Sequence, residues 1–480
     1  VIKLDQSQKP LVDSLKEHIS NSPHSYHVPG HKNGQLFPDE FADWRPFLAY
    51  DVTELPGLDD LHEPSGAIAQ AQQLAAHYYG VDETYFLVNG TTAGNLAMIM
   101  ATCEAGDHVL VQRNSHKSIM HALHLVGARP IFVTPDFDQA TGRFSSLRAE
   151  VMAEAISSYP SIKAVVLTYP DYFGATYDLK SIVKEAHARQ IPVLIDEAHG
   201  AHFKVSDAFP KSAVDCGADV VVQSAHKTLP ALTMGSFLHL QSAYVSANLL
   251  KYYLQVFQSS SPSYLIMMSL DLARYTVANL HKEDVKKTLD WIEKFNKMID
   301  QLDGFQVSAV RKGVDDPLKT IITSDRYNLH DVLMWLHENG IDAELVSEQQ
   351  LLLIHGLNLD DESWEERIRT MTDCLKGIPF KPNHDRIETN ISFQSGIVRL
   401  PYSYKDLRQF SQVFINFQEA IGRIAAESIT PYPPGIPVIV EGEIITSEAV
   451  EMIEQAKAES VHIQTAGSSS HTQIKVYSIE

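Results

Sequence analysis

Asp219-Val-Val-Val-Gln-Ser-Ala-His-Lys227-Thr-Leu-Pro230 is a short apolar run of β type that leads to a lysine and breaks at a proline. A lysine placed directly after a buried strand is an amine held still. Upstream, Pro192-Val-Leu-Ile-Asp196-Glu-Ala-His-Gly200 is a second apolar run, and it ends on a carboxylate. Around these two runs, apolar strands alternate with amphipathic helices. That is the pattern of an α/β fold with a mostly parallel sheet covered on both faces. Ligands of such sheets lie beyond the carboxyl ends of the strands. Asn89, Asp196 and the Ser224–Lys227 group all stand at such ends.

Working outward, the pattern predicts helices over Ala67–Tyr79, Leu96–Cys103, His116–Val126, Leu147–Ser157 and Leu179–Ala188. It predicts strands over Tyr85–Val88, His108–Val111, Ile131–Val133, Ala164–Thr168, Val193–Ile195, Val220–Val222 and Ser236–Leu240. Leu11–Ile19 reads as a short helix. Ser259-Ser-Ser-Pro-Ser-Tyr264 breaks the chain before an apolar helix, Leu265–Ala278, and a charged one, His281–Leu302. Residues 305–378 read as a smaller α/β unit, with strands Leu318–Ile322 and Leu351–Ile354 and helices Leu329–Glu338 and Ser363–Lys376. Ser363 and Glu366 stand at capping-box spacing. Lys381–Asp385 reads as a linker, Pro431–Pro437 as a rigid proline-rich crossing, and Ala466–His471 as a polar tail. The expected division is an N-terminal arm with loops (1–65), a large domain (66–280), a small α/β domain (281–380) and a C-terminal domain (381–480).

A chain of 480 residues is too long for one ordinary core. A net charge of −21 argues against a general nucleic-acid binder. It favours basic small molecules or is simply a solvated acidic surface. No apolar run approaches a membrane span, and Val1-Ile-Lys-Leu-Asp-Gln6 carries no secretion-signal pattern. Cys103, Cys216 and Cys374 match no zinc spacing and read as reduced thiols of a cytoplasmic protein. The histidines of His24–Gly34 lack a second ligand cluster, so no metal is expected.

An acid at one strand end and a lysine just past another suggest a pyridoxal phosphate site. The lysine would form the Schiff base, and the acid would hold the pyridinium nitrogen. Gly90-Thr91-Thr92 opens a helix, where backbone N–H groups and hydroxyls bind phosphate; the alternative is a plain N-cap. Asp196 and Ala198 are two apart in an extended segment and so share one side. Ala198 is small enough to let a ring lie flat, and the alternative for Asp196 is an acid capping the next turn. Ser224 and His226 stand in the same relation, Ser224 donating to the phosphate with His226 beside it. His116 either stacks on the ring's other face or caps its helix. The acids of Leu58–Gly66 either meet a cationic substrate or cap the helix that begins at Ala67.

Eight pieces, in order along the chain, carry a family resemblance: His27-Val-Pro-Gly-His-Lys32, Leu58-Asp-Asp-Leu-His62, Asn89-Gly-Thr-Thr92, Arg113-Asn-Ser-His-Lys-Ser118, Asp196-Glu-Ala-His-Gly200, Ser224-Ala-His-Lys227, Ser259-Ser-Ser-Pro-Ser-Tyr264 and Pro431-Tyr-Pro-Pro-Gly-Ile-Pro437. With them the chain resembles the Orn/Lys/Arg decarboxylase family of fold-type I pyridoxal phosphate enzymes. It is most similar to the shorter bacterial members that lack an N-terminal response-regulator-like domain. The resemblance implies an aspartate aminotransferase-like large domain. It makes Lys227 the Schiff-base lysine, Asp196 the acid on the ring nitrogen and His116 the stacked histidine. Thr91, Thr92, Ser224 and His226 fall to the phosphate and its surroundings. Ser260 and Ser261 belong to a loop that reaches the neighbouring subunit's cofactor, which implies a homodimer or larger homo-oligomer. One departure is His199, where larger relatives carry a tryptophan.

The implied activity is decarboxylation of lysine, arginine or ornithine to an amine and CO2, with Lys227 or His226 returning a proton to Cα. One rival is an aminotransferase or other lyase on the same cofactor. The other is a non-catalytic protein that keeps the fold, and the intact Asp196–Lys227 pair weighs against it.

Overall fold

The computed structural model describes residues 4–21, 24–138, 143–144, 146–159, 161–347, 349–357, 359–379, 396–432, 437–458, 462–465 and 473–479. The expected linker at Lys381–Asp385, most of the proline-rich stretch and the polar tail Ala466–His471 lie outside them. The chain divides into two compact units, residues 1–102 with 187–285 and residues 103–186 with 286–480.

In the first unit four strands lie in the order Glu83–Leu87, Ser236–Leu240, Val220–Gln223, Val193–Asp196. All residues of the last three are buried. They therefore read as unbroken apolar runs rather than alternating ones. Val193–Asp196 and Val220–Gln223 are parallel, with Asp196 opposite Val222. Ser236–Leu240 runs against both its neighbours. Glu83–Leu87 thus points the same way as the two parallel strands, and three carboxyl ends gather on one edge. Ala67–Tyr79 is a helix, and Gly80 ends it in the left-handed region at φ 74°. The helix Ala247–Phe257, which the sequence pattern does not mark, packs Leu250 and Leu254 inward. Buried Arg274 pairs with buried Asp271 at 2.6 Å and holds the carbonyls of Gln6 and Gln8, while Asp271 accepts from the N–H of Leu11.

The acidic loop before Ala67 turns out to be a cap. Asp59, at φ 70°, accepts from the N–H groups of Ser65 (2.9 Å), Gly66 (2.8 Å), Ile68 (2.9 Å) and Ala69 (3.1 Å). It satisfies the orphan donors of the helix start from outside the helix.

In the second unit Ile162–Thr168, His108–Gln112 and Arg129–Val133 are parallel neighbours, and Ile397–Arg399 closes the edge antiparallel to Arg129–Val133. A separate antiparallel sheet holds Gln306–Val307, Lys319–Thr323, Gln350–Ile354 and Leu345–Ser347. Its core includes Ile322, Val332, Leu336 and Leu351. The helix Asp361–Lys376 is capped by Asp360, whose side chain accepts from the N–H of Ser363 at 2.8 Å. The expected start at Ser363 is corrected accordingly: an aspartate three residues earlier reaches the orphan N–H first. Toward the C-terminus, Ser411–Asn416 pairs with Gln473–Ser478, and Ile429–Tyr432 pairs with His462–Thr465, around a core that includes Ile439, Ile453 and Val476. Arg113 makes a bidentate bond to Glu443, both residues being buried, and donates to the carbonyl of Val438 at 3.0 Å. Among the described residues no helix is long and apolar enough to cross a membrane.

Burial pushes the Asp59 carboxyl up, but the N–H groups of Ser65, Ala69 and Gly66 outweigh it and hold the group below its ordinary value. A depressed carboxyl stabilises the fold above the unfolded-state pKa, and the effect fades as pH falls through the carboxylate range. Asp59→Ala is expected to cost about 1–2 kcal/mol at neutral pH. The deficit should shrink in acid; urea denaturation at a series of pH values measures both.

Candidate active site

The first unit's sheet edge, where the three strands end, holds most of the residues that the sequence singles out. Glu83–Leu87 runs into Asn89 and the helix Gly90–Thr102. Gly90 has φ 72°, and its N–H bonds the Met234 carbonyl at 3.0 Å. One turn in, a Cβ on Gly94 would meet Val222 Cγ1 at 2.6 Å and Leu87 Cδ1 at 2.8 Å, so the helix rests on the strands at a distance that only glycine allows. Two side chains one turn apart then face the strand ends. The Thr91 hydroxyl lies 3.1 Å from the Ser224 hydroxyl. Asn95 Nδ2 donates to Asp196 Oδ2 at 2.9 Å, with both residues buried. Thr92 is exposed.

The segments after Asp196 and Ser224 are not extended, and two expectations are corrected. Ala198 lies in a turn, and its N–H donates to Asp196 Oδ1 at 3.2 Å. Asp196 is therefore a buried carboxylate that also caps the turn after its strand. Ser224 precedes a single helical turn, Ala225–Thr228, so Ser224 and His226 do not share a strand face. A helical turn forms because Lys227 and Leu229 donate their N–H groups to Ser224 and Ala225. Lys227 Nζ, half-buried, lies 3.1 Å from His199 Nε2. His226 turns its Nδ1 to the Gly235 carbonyl at 3.0 Å. Burial lowers its pKa, the Gly235 carbonyl partly offsets this, and the Lys227 charge lowers it further.

Glu197, next to Asp196, is fully buried. It receives the N–H of Ala213 (2.7 Å), Gln223 Nε2 (2.7 Å) and the Ser212 hydroxyl at 2.9 Å. Burial nevertheless pushes its carboxyl up to about 8. Gln223 passes the network on to His239 and Thr84. This chain ties the strand end carrying Asp196 to the one carrying Ser224.

The serine loop is anchored to the same edge. Ser259 N–H donates to Asn89 Oδ1 at 3.3 Å, and His62 Nε2 lies 2.8 Å from the Ser259 carbonyl. Ser260 and Ser261 are exposed beside it. His116 belongs to the second unit. It caps the helix Lys117–Val126, its Nδ1 accepting from the N–H of Ser118 at 3.3 Å. Sequence reasoning missed Asn95, Glu197 and the placement of His199. Asn95 alone had a readable signal, its position one helical turn after Thr91.

A lysine amine, a buried carboxylate and a hydroxyl-lined helix start on one sheet edge define the fold-type I pyridoxal phosphate class, and the comparisons agree. The Francisella novicida lysine decarboxylase LdcF superposes with a TM-score of 0.81 at 19% identity, over 98% of this chain and 81% of that one. In sequence, the chain is 44% identical to the uncharacterized protein YaaO of Bacillus subtilis (strain 168) over 98% of each. It is 35% identical to the arginine decarboxylase of the same organism over 94% of each. The description "Orn/Lys/Arg decarboxylase, major domain" matches residues 9–363, and "Orn/Lys/Arg decarboxylase, C-terminal domain" matches residues 400–464. The chain belongs to the Orn/Lys/Arg decarboxylase family.

A raised carboxyl favours the folded state only while it is protonated. Stability owed to Glu197 is full below about 4.5 and is lost as pH rises through about 8. Glu197→Gln, neutral at every pH, is expected to flatten that decline. Thermal unfolding of both proteins between pH 5 and 9 checks it.

Proposed function

We propose that this chain decarboxylates a basic amino acid, arginine foremost, with pyridoxal 5'-phosphate held by the Asp196–Lys227 site. One observation carries the reading: a buried carboxylate pinned by Asn95 on the same strand-end edge as a lysine amine and a helix start. That donor set fits the cofactor, because an amine takes an aldehyde, a carboxylate takes a ring N–H, and N–H groups with hydroxyls take a phosphate. When bound, the cofactor supplies an electron sink for the pair left behind as CO2 departs.

The chain's own residues do the rest. Lys227 would hold the cofactor covalently through its amine. Asp196, oriented by Asn95 and the Ala198 N–H, keeps the ring nitrogen protonated. Gly90, Thr91, Thr92 and Ser224 hold the phosphate, with His226 beside them. Ser260 and Ser261 serve the neighbouring subunit, which makes the active form a homodimer or larger. The name of the Bacillus subtilis relative puts arginine first among substrates, and a net charge of −21 suits a cation.

Arginine, lysine and ornithine, each assayed for CO2 and amine, test the activity; a keto acid as the main product would indicate transamination instead. Lys227→Ala is expected to abolish both turnover and the visible absorbance of the bound cofactor, and amine formation at the wild-type rate would rule the assignment out. Asp196→Asn should keep the cofactor but lower kcat by roughly a hundredfold or more. A kcat within a few-fold of wild type would remove Asp196 from the role.

A further inference from the structure

The Ala198–Gly200 turn sets an imidazole against the lysine. Gly200 N–H bonds the Glu197 carbonyl at 3.0 Å, and a Cβ on Gly200 would meet Glu197 Cγ at 2.7 Å. Asp196 and Glu197 fix the turn from both sides through Ala198, Ser212, Ala213 and Gln223. His199, 6% exposed, therefore points from a braced backbone, and its Nε2 stands 3.1 Å from Lys227 Nζ. The other imidazole near the amine, His226, already gives its Nδ1 to the Gly235 carbonyl.

We infer that His199 is the proton reservoir of Lys227, charging the amine that substrate binding sets free so that the lysine can protonate the substrate's α-carbon. The inference rests on the function proposed above. In the step, the Nε2–H bond of the His199 imidazolium breaks, and the Lys227 Nζ lone pair takes the proton. Imidazolium becomes imidazole and amine becomes ammonium, so charge and electrons balance in the step, and solvent recharges the imidazole between turnovers. Ordinary values of about 6.5 for imidazole and about 10.4 for a lysine amine make the transfer downhill in this direction. In cofactor-free protein a Lys227 ammonium has only donors, so there Nε2 accepts and the ring carries its proton on Nδ1.

His199→Gln retains a hydrogen-bonding side chain that cannot carry a proton. Borohydride reduction and peptide mapping first establish that the cofactor is attached to Lys227. Failure of wild-type protein at that step would overturn the function proposed above and not this inference. With attachment intact, His199→Gln is expected to lose about 10²–10³-fold in kcat with KM within about threefold of wild type. Added imidazole should restore part of the kcat of His199→Ala. A readout independent of turnover uses cofactor-free protein. There the His199 ring titration, followed by NMR, should rise by about one pH unit or more on Lys227→Ala, because a neighbouring ammonium disfavours a second positive charge. A His199→Gln kcat within threefold of wild type, a loss that imidazole leaves unrescued, or an unmoved titration midpoint would each overturn the inference.

Discussion

The contact between Gly94 and the strands beneath it governs the whole site. A helix that could not approach Val222 and Leu87 so closely would carry Thr91 away from Ser224 and Asn95 away from Asp196. Helix–sheet packing is short-range and steep, and one added methyl in a close-packed interior forces neighbours off their rotamers. Hydrogen-bond geometry then follows from sterics. The hydroxyl pair and the amide–carboxylate pair are set by the same turn of helix.

Electrostatics divides two adjacent acids by their surroundings. Asp196 meets an amide N–H and a backbone N–H at the open end of its strand. Glu197 is sunk among Ser212, Ala213 and Gln223, where burial outweighs its donors. Asp196 pairs with Asn95 while Glu197 pairs with Ser212, Ala213 and Gln223, so one acid serves the edge and the other braces it. The neighbouring His239 is driven the other way, down to about 3 by burial, and stays neutral between Thr84 and Gln223. A buried network of neutral groups avoids the cost of desolvating charge.

Much of this was legible in the sequence, for physical reasons. Val193–Asp196 and Val220–Gln223 announce themselves because strands buried on both faces must be continuously apolar, and Asp196 and Lys227 are conspicuous because they end such runs. Strand direction was not legible: Ser236–Leu240 has the composition of its parallel neighbours and runs against them. The C-terminal strand pairs were missed because their strands are partly exposed and each partner lies far along the chain. Asn95 and His199 were missed for another reason. Each acquires its partner through a turn or a helix face, and no local pattern encodes a pairing between residues 101 or 28 positions apart.

Arg113 and Glu443 are 330 residues apart in the chain and buried against each other. A chain leaves the ribosome from its N-terminus. The turn that leads to His116 is therefore synthesised long before the carboxylate that neutralises its arginine exists. Until Glu443 is made, that guanidinium has to stay hydrated, since a buried cation without its partner is strongly unfavourable. The Arg113-Asn-Ser-His116 turn can thus settle only once the segment that carries Glu443 has emerged. Loss of that segment, by a premature stop codon or by proteolysis, would strike a residue pair whose first member lies 330 residues earlier.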